Sequence, residues 1–338
     1  MRITELHPDP AYEQVLLAEE PAAGYRAIVA LHSSRLGPAV GGTRRWRYPG
    51  DDAALTDALR LARGMSYKNA VAGLPMGGGK SVIIANGEPA SRAELFRAHG
   101  RLVESLAGRY ITAEDVGTSY EDMAFVRRET RFVAGLADPS PVTARGVLRA
   151  MMAAARHRWG TDDLAGRTIA IQGCGNVGIA LAGQLAALGA RLFVCDLGAA
   201  RAERCAAASG ATVVPPDTIY DLATDIHTPC ALGATLNRET IPRLRCALVV
   251  GAANNQLASA DDALRLARRG ILYVPDYVAN AGGVIDGARD ICGWSQDRCG
   301  IAVDAIYDTT IALLRDAERD GITPAAAADG LAESRLDR

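Results

Sequence analysis

The chain has 338 residues, of which 49% are hydrophobic and 22% charged, with a formal net charge of -2. A domain usually takes ~100–200 residues, so two domains are expected, each with its own core. The near-neutral balance excludes an electrostatic nucleic-acid or membrane surface. With no apolar run of about 18 residues and no basic-then-apolar leader, a cytoplasmic protein is expected.

Residues 25–32 (YRAIVALH) read as a buried strand. Residues 51–63 read as a helix, with Leu55, Ala58, Leu59 and Ala62 on one face and Gly64 as its stop. A short strand is expected over 81–85 (SVIIA), then a helix over 91–106 capped by Ser91, then a strand over 110–113 that leads into Glu114 and Asp115. Pro139-Ser140-Pro141 punctuates the chain before a long helix over about 142–158, and the domain boundary is placed there. From 168 onward strands alternate with helices. The strands are expected over 168–172, 191–195, 212–214, 225–228, 247–250 and 271–274, which predicts an open parallel sheet with helices on its faces. The tail from about 302 to 336 reads as helical.

The first of these strands runs straight into Gly173-Cys174-Gly175-Asn176-Val177-Gly178, which fits the dinucleotide fingerprint G-x-G-x-x-G. Gly173 permits the tight turn, Gly175 lets backbone approach a pyrophosphate, and Gly178 lets the following helix pack closely. Asp196, 18 residues beyond Gly178, ends the second strand where an acid bonds a ribose 2'-hydroxyl and repels a 2'-phosphate. NAD is therefore expected over NADP. The competing reading is a glycine-rich turn without cofactor, but strand, helix, second strand and acid are all in place.

Of 37 basic residues only Lys68 and Lys80 are lysine. They are either leftovers of a bias towards arginine or lysines that arginine cannot replace, since a lysine can lose its proton and an arginine cannot. Gly77-Gly78-Gly79-Lys80-Ser81 invites a P-loop reading, which fails because Leu74 stands where the first glycine is needed and a strand follows instead of a helix. The three glycines are expected to bring backbone close to a small ligand and to set the direction of Lys80. Surface charge is the plainer reading of the lysines, but Lys80 heads an apolar strand. Asp115 closes a strand, which suits a catalytic group, or it caps a helix starting near Thr118. The seven cysteines (Cys174, Cys195, Cys205, Cys230, Cys246, Cys292 and Cys299) form no Cys-x-x-Cys pair and read as reduced, mostly buried thiols. The five histidines lack metal-ligand spacing, so no metal is expected.

The segments GPAVGGTRRW (37–46), ALRLARGMSYKNAVAGLPMGGGKSVI (58–83), GRYITAEDVGTS (108–119), PSPVTARGV (139–147), GCGNVG (173–178), PCALGA (229–234), GAANNQL (251–257) and PDYVANAGGVID (275–286) occur in this order. Together they resemble the leucine/phenylalanine/valine dehydrogenase branch of the amino-acid dehydrogenases. The resemblance implies an α/β protein of two domains with a cleft between them: a catalytic domain over 1–140, a Rossmann-type NAD-binding domain over 141–320, and a C-terminal helix over 321–338 returning to the catalytic domain. It implies that Lys80 activates water, Lys68 holds the substrate carboxylate, Asp115 transfers protons, and backbone at Gly42 contacts that carboxylate. Asn280 is implied to bond the substrate main chain, and Thr143 and Asn254 to lie at the nicotinamide end. Val40, Ala113, Ala134, Val303 and Ile306 match side-chain pocket positions. The 135–139 segment (GLADP) is shorter than the glycine-rich loop usual there, and the chain ends soon after AESRLDR.

The implied activity is NAD-dependent oxidative deamination of a leucine-, valine- or isoleucine-type L-amino acid to the 2-oxo acid and ammonia, by a homo-oligomer acting on small molecules only. An aromatic substrate is the second reading, because Val40 and Ala134 look smaller than the leucine and threonine usual there. An inactive homologue that binds amino acid and NAD is a third. A glutamate enzyme would require a cation deep in the pocket, where these aliphatic residues stand.

Overall fold

Within the run 25–32, residues 27–31 (AIVAL) are continuously apolar because both faces of the strand are covered there. In the computed structural model this strand is β3 (Tyr25–Ser33), and the structure describes residues 1–337 except 86, 88, 90, 136 and 137. Part of the 135–139 segment therefore lies outside the described residues. The chain forms two units, one of Met1–Asp138, Asp290–Gly293 and Ala332–Arg338, the other of Pro139–Arg289 and Trp294–Leu331.

The elements of the first unit, in chain order, are β1 (Arg2–Leu6), β2 (Gln14–Glu20), β3, β4 (Ala39–Val40), β5 (Thr43–Trp46), α1 (Asp51–Val71), β6 (Gly77–Ile84), α2 (Arg92–Ser105), β7 (Tyr110–Ile111) and α3 (Tyr120–Arg127). The sheet order is β1-β2-β3-β6-β4-β7, with β5 also on β6. The pairs from β1 to β6 are antiparallel, and β4, β5, β6 and β7 run parallel. One face of the sheet buries Ile28, Ala30 and Val82 against Ala54, Ala58 and Ala62 of α1. The other buries Val29, Leu31 and Ile83 against Phe96 and Leu102 of α2 and Met123 and Val126 of α3.

Helix α1 corrects one expectation. It runs straight through Gly64 to Val71, because every residue from Ser66 to Val71 is buried. That burial outweighs the roughly 1 kcal/mol a mid-helix glycine costs. The real stop is Gly73, at φ +67°, where Leu74 N–H donates to Asn69 C=O and Gly73 N–H to Ala70 C=O. Arg335 then donates to the Ala70 and Val71 carbonyls at 2.7 and 2.8 Å, placing a cation at the negative end of the helix.

The second unit starts with α4 (Ser140–Trp159), whose first turn takes Pro141, followed by β8 (Thr168–Gln172), α5 (Asn176–Ala187), β9 (Arg191–Cys195), α6 (Ala199–Ser209), β10 (Thr212–Val213), β11 (Ile226–Pro229), β12 (Leu248–Val249), α7 (Asp261–Arg268), β13 (Leu272–Tyr273), α8 (Asp276–Ala279), α9 (Gly282–Cys292), α10 (Gln296–Asp304), α11 (Ile306–Asp320) and α12 (Pro324–Leu336), with the last residues of α9 and α12 counted in the first unit. Its sheet is all parallel in the order β10-β9-β8-β11-β12-β13. Counting strands from β8, that is 3-2-1-4-5-6, a doubly wound Rossmann sheet whose order reverses between β8 and β11. The expected helical tail is three helices, since Gly321 (φ +65°) ends α11. None of the seven cysteines is in a disulfide. Among the described residues no helix is long and apolar enough to cross a membrane.

Two histidines are locked inside these cores. Burial lowers His99, on α2, to about 3 and His227, on β11, to about 4. Neither ring nitrogen of His227 meets a hydrogen-bond partner. Below about pH 6.5 the unfolded chain protonates a histidine that the folded state keeps neutral. The unfolded state then binds more protons, so stability falls with pH, by about 1.4 kcal/mol per pH unit for each such group. In the first unit Glu114, raised to about 7 by burial and then by neighbouring Asp115, takes up its proton before the unfolded chain does and offsets part of the His99 effect. His227→Leu should therefore flatten the fall of the second unit's urea midpoint between pH 6.5 and 4.5 without lowering stability at pH 7. An unchanged slope would show that His227 is protonated in the folded state.

Candidate active site

The first unit's cluster is built where a ladder breaks. β4 pairs with β6 through Ala39 and Val40, and β5 resumes the pairing at Thr43 opposite Ser81. Gly41 and Gly42 fall in the gap, beside Gly79 and Lys80. On the other side Gly41 N–H donates to Ile111 C=O and Thr43 N–H to Ala113 C=O. Backbone at Gly42 is held against the next segment so closely that a Cβ there would lie 2.6 Å from Glu114 O and 2.9 Å from Asp115 Cβ.

The glycines of β6 have a different job from the one expected. They are strand, not loop, and all three are buried. A Cβ on Gly78 would overlap the Ser66 backbone nitrogen of α1, one on Gly77 would overlap Ser33 O, and one on Gly79 would sit 2.9 Å from the Tyr110 ring. They bring α1, β3 and β7 onto β6, and the close approach is to the protein's own backbone. That packing holds Lys68, buried on the last turn of α1, and Lys80, buried in β6, on contacting elements.

Lys80 Nζ lies 2.6 Å from Asp115 Oδ2. Burial alone would raise the Asp115 carboxyl, but Lys80 and then Arg44 outweigh it and hold the group at about 2. Asp115 is thus an ionised carboxylate at any working pH, and the helix-cap alternative falls to Ser119, whose hydroxyl caps α3. Arg44 escaped the sequence reading. Its Nε is 3.3 Å from the same Asp115 oxygen and its Nη1 is 2.9 Å from Asp57 Oδ2, which also accepts from Tyr48 at 2.5 Å. Also missed was a buried polar cluster beneath the gap. Thr43 Oγ1 lies 2.7 Å from both Ser81 Oγ and His99 Nε2 and 2.6 Å from Thr112 Oγ1, Tyr25 bonds His99 Nδ1 at 2.9 Å, and Tyr110 donates to Gly41 C=O at 2.5 Å. These bonds fix the residues flanking Gly42 and Lys80. The only sequence signal was a polar residue inside each apolar run, such as Ser81 after Lys80. Val40 and Ala134 are buried nearby and Ala113 is half-buried; Ala134 N–H donates to Thr112 C=O at 2.8 Å.

The second unit carries the fingerprint. Gly173, at φ +105°, leaves β8 in a conformation other residues rarely adopt, and a Cβ on it would meet Ala231 N at 2.7 Å. A Cβ on Gly178 would overlap Gly173 O, whereas one on Gly175 meets nothing within 4 Å. Open space therefore faces Gly175, the N-cap of α5, and no side chain caps that helix. Asn176, Val177 and Gly178 form its first turn, so free N–H groups and the positive helix end face the space. This arrangement fits a pyrophosphate. Cys174 is buried, its N–H donating to Asp196 Oδ2 at 2.9 Å, which ties the loop to the end of β9.

Elsewhere in this unit Asn280 Nδ2 donates to Ala252 C=O and to Asn254 Oδ1, both at 2.9 Å, while its Oδ1 is buried with no partner. That orphaned acceptor suits an incoming N–H donor. Thr143, on the first turn of α4, has its Oγ1 against Gly283, 2.9 Å from where a Cβ would stand. Val303 and Ile306 are buried, and Ile306 lies on Gly146 of α4.

A model of the Glu/Leu/Phe/Val dehydrogenase dimerisation domain matches residues 13–132, and the Glutamate/Leucine/Phenylalanine/Valine dehydrogenase model matches 135–199 and 196–300. The chain belongs to the Glu/Leu/Phe/Val dehydrogenase family. It is an amino-acid dehydrogenase, an oxidoreductase. Among the curated members of this family, a leucine dehydrogenase of Bacillus cereus is 48% identical, over 96% of this chain and 91% of the relative. A valine dehydrogenase of Streptomyces albus is also 48% identical, over 98% and 94%. Among solved structures, L-tryptophan dehydrogenase from Nostoc punctiforme superposes with a TM-score of 0.84 at 44% identity, over 97% and 96% of the two chains.

Proposed function

We propose that this amino-acid dehydrogenase oxidatively deaminates a leucine-, valine- or isoleucine-type L-amino acid with NAD, yielding the 2-oxo acid and ammonia. The observation that carries the reading is the Lys80–Asp115 contact beside Gly42, among the aliphatic Val40, Ala113 and Ala134. The leucine and valine dehydrogenases at 48% identity support it.

Each residue then has a job. The Lys68 ammonium and the backbone at Gly42 hold the substrate carboxylate. The open face of Gly175 and the α5 N-terminus hold the dinucleotide, with Asp196 at its ribose, and Thr143 and Asn254 at its nicotinamide end. When bound, NAD accepts the hydride that leaves the substrate α-carbon. Asn280 Oδ1 accepts from the substrate amino group. Lys80 takes a proton from the water that attacks the resulting imine carbon, and Asp115, 2.6 Å away, passes it on to the departing amine. Val303 and Ile306 complete the side-chain pocket. The protein acts as a homo-oligomer on small molecules, and its seven cysteines, none in a disulfide, suit a reducing compartment, the cytoplasm.

The test is NADH formation across an amino-acid panel. Leucine, valine or isoleucine should exceed glutamate in kcat/KM by at least ~100-fold, because a glutamate carboxylate buried without a cation costs several kcal/mol. Comparable turnover of glutamate would overturn the pocket. The second reading, an aromatic substrate, is favoured by the tryptophan dehydrogenase match and by the small pocket side chains, and would put phenylalanine or tryptophan at the head of the same panel.

A further inference from the structure

The acid expected to select NAD does not stand alone. Asp196 Oδ1 accepts from Arg201 Nε at 3.0 Å, from Arg201 Nη2 at 2.7 Å and from Gly198 N–H at 2.7 Å, while Oδ2 accepts from Cys174 N–H. The carboxylate is therefore compensated in charge and nearly saturated in hydrogen bonds. The two partners are also unequally exposed. The Asp196 side chain is 9% exposed and that of Arg201 is 53% exposed. At the end of β9 it is the guanidinium that meets solvent. Arg204, one turn further along α6, is exposed as well and adds positive charge along that helix.

A bare carboxylate at this point would reject a doubly charged 2'-phosphate by repulsion and by lacking a donor. A guanidinium there does the opposite, because its planar fork donates two parallel hydrogen bonds to phosphate oxygens and stays charged. We propose that Arg201 makes the ribose site of this enzyme accept a 2'-phosphorylated dinucleotide, so that NADP is bound as well as NAD and Arg201 sets the ratio between them. In this arrangement the 2'-hydroxyl of NAD donates to Asp196. The 2'-phosphate of NADP takes the Nη1–Nη2 edge of Arg201, while Nε stays on Asp196, which also keeps its bonds to Gly198 and Cys174. The inference rests on the fingerprint being the dinucleotide site.

The experiment is calorimetric titration of the full-length protein with NADH, NADPH, 5'-AMP and adenosine 2',5'-bisphosphate, on wild type, Arg201→Ala and Arg201→Lys. A charge-assisted pair is worth roughly ten- to a hundredfold in affinity, so wild type should bind NADPH within about tenfold of NADH. Arg201→Ala should shift the NADPH-to-NADH affinity ratio against NADPH by at least about tenfold, and Arg201→Lys by less, since it keeps the charge and loses the fork. Adenosine 2',5'-bisphosphate should follow NADPH, and 5'-AMP should follow NADH. Tight NADH binding with NADPH excluded from wild type, or an unchanged ratio in Arg201→Ala, would overturn the role of Arg201 and leave the fingerprint reading standing. Failure of wild type to bind NADH or 5'-AMP at all would overturn the fingerprint reading itself, and this inference with it.

Discussion

Lys80→Arg should lower the deamination rate by ~10²–10⁴-fold, the range that general base catalysis supplies. The substitution keeps a cation 35 positions from Asp115 in sequence and in contact with it in the fold, so ion pairing alone would survive. What it removes is the capacity to give up a proton, since a guanidinium stays charged. NADH binding, which belongs to the second unit, should persist. Lys68→Arg should behave differently, raising KM through altered carboxylate geometry with turnover still measurable. Near-wild-type rates in Lys80→Arg would move water activation to another group, with Asp115 first in line, because it is the ionised carboxylate already touching Lys80.

Gly78→Ala should be among the most damaging single-methyl changes in the first unit. The added carbon would overlap the backbone of Ser66, and backbone on a packed helix cannot rotate away as a side chain can. Overpacking of this kind costs about 1–3 kcal/mol or more. Because the yielding element is α1 or β6, the strain should also separate Lys68 from Lys80. Both a drop in thermal midpoint of several degrees and a rise in substrate KM are expected from the purified variant. By contrast Gly64→Ala, in the same helix, meets nothing within 4 Å and should stabilise the protein by roughly 0.5–1 kcal/mol. If Gly78→Ala folded with wild-type stability, α1 would not be seated on β6 through this glycine.

What could be read in advance was whatever is local in the chain. The dinucleotide fingerprint is one contiguous turn, and the acid that follows it ends the next strand, so their positions are set by a handful of residues. The same holds for Ser91 as the cap of α2, and for the alternation of strand and helix that predicts the parallel sheet. The solitary lysines could be singled out because their chemistry differs from that of arginine wherever they stand.

The tertiary structure decided the rest, for one physical reason: it depends on which distant backbones touch. Gly64 has the composition of a helix stop, yet burial of the following six residues carries α1 past it. Three glycines that suggested a ligand loop are the floor on which that helix lies. Arg44 carries no mark in sequence, and only the pairing of β5 with β6 sets its guanidinium beside Asp115. Asp196 reads in sequence as a bare carboxylate, but α6 folds back to lay Arg201 on it. The sequence by itself determined which residues have the chemistry of an amino-acid dehydrogenase. Packing determined which charges stand together, because a side chain's field is set by neighbours that the sheet brings in from far along the chain.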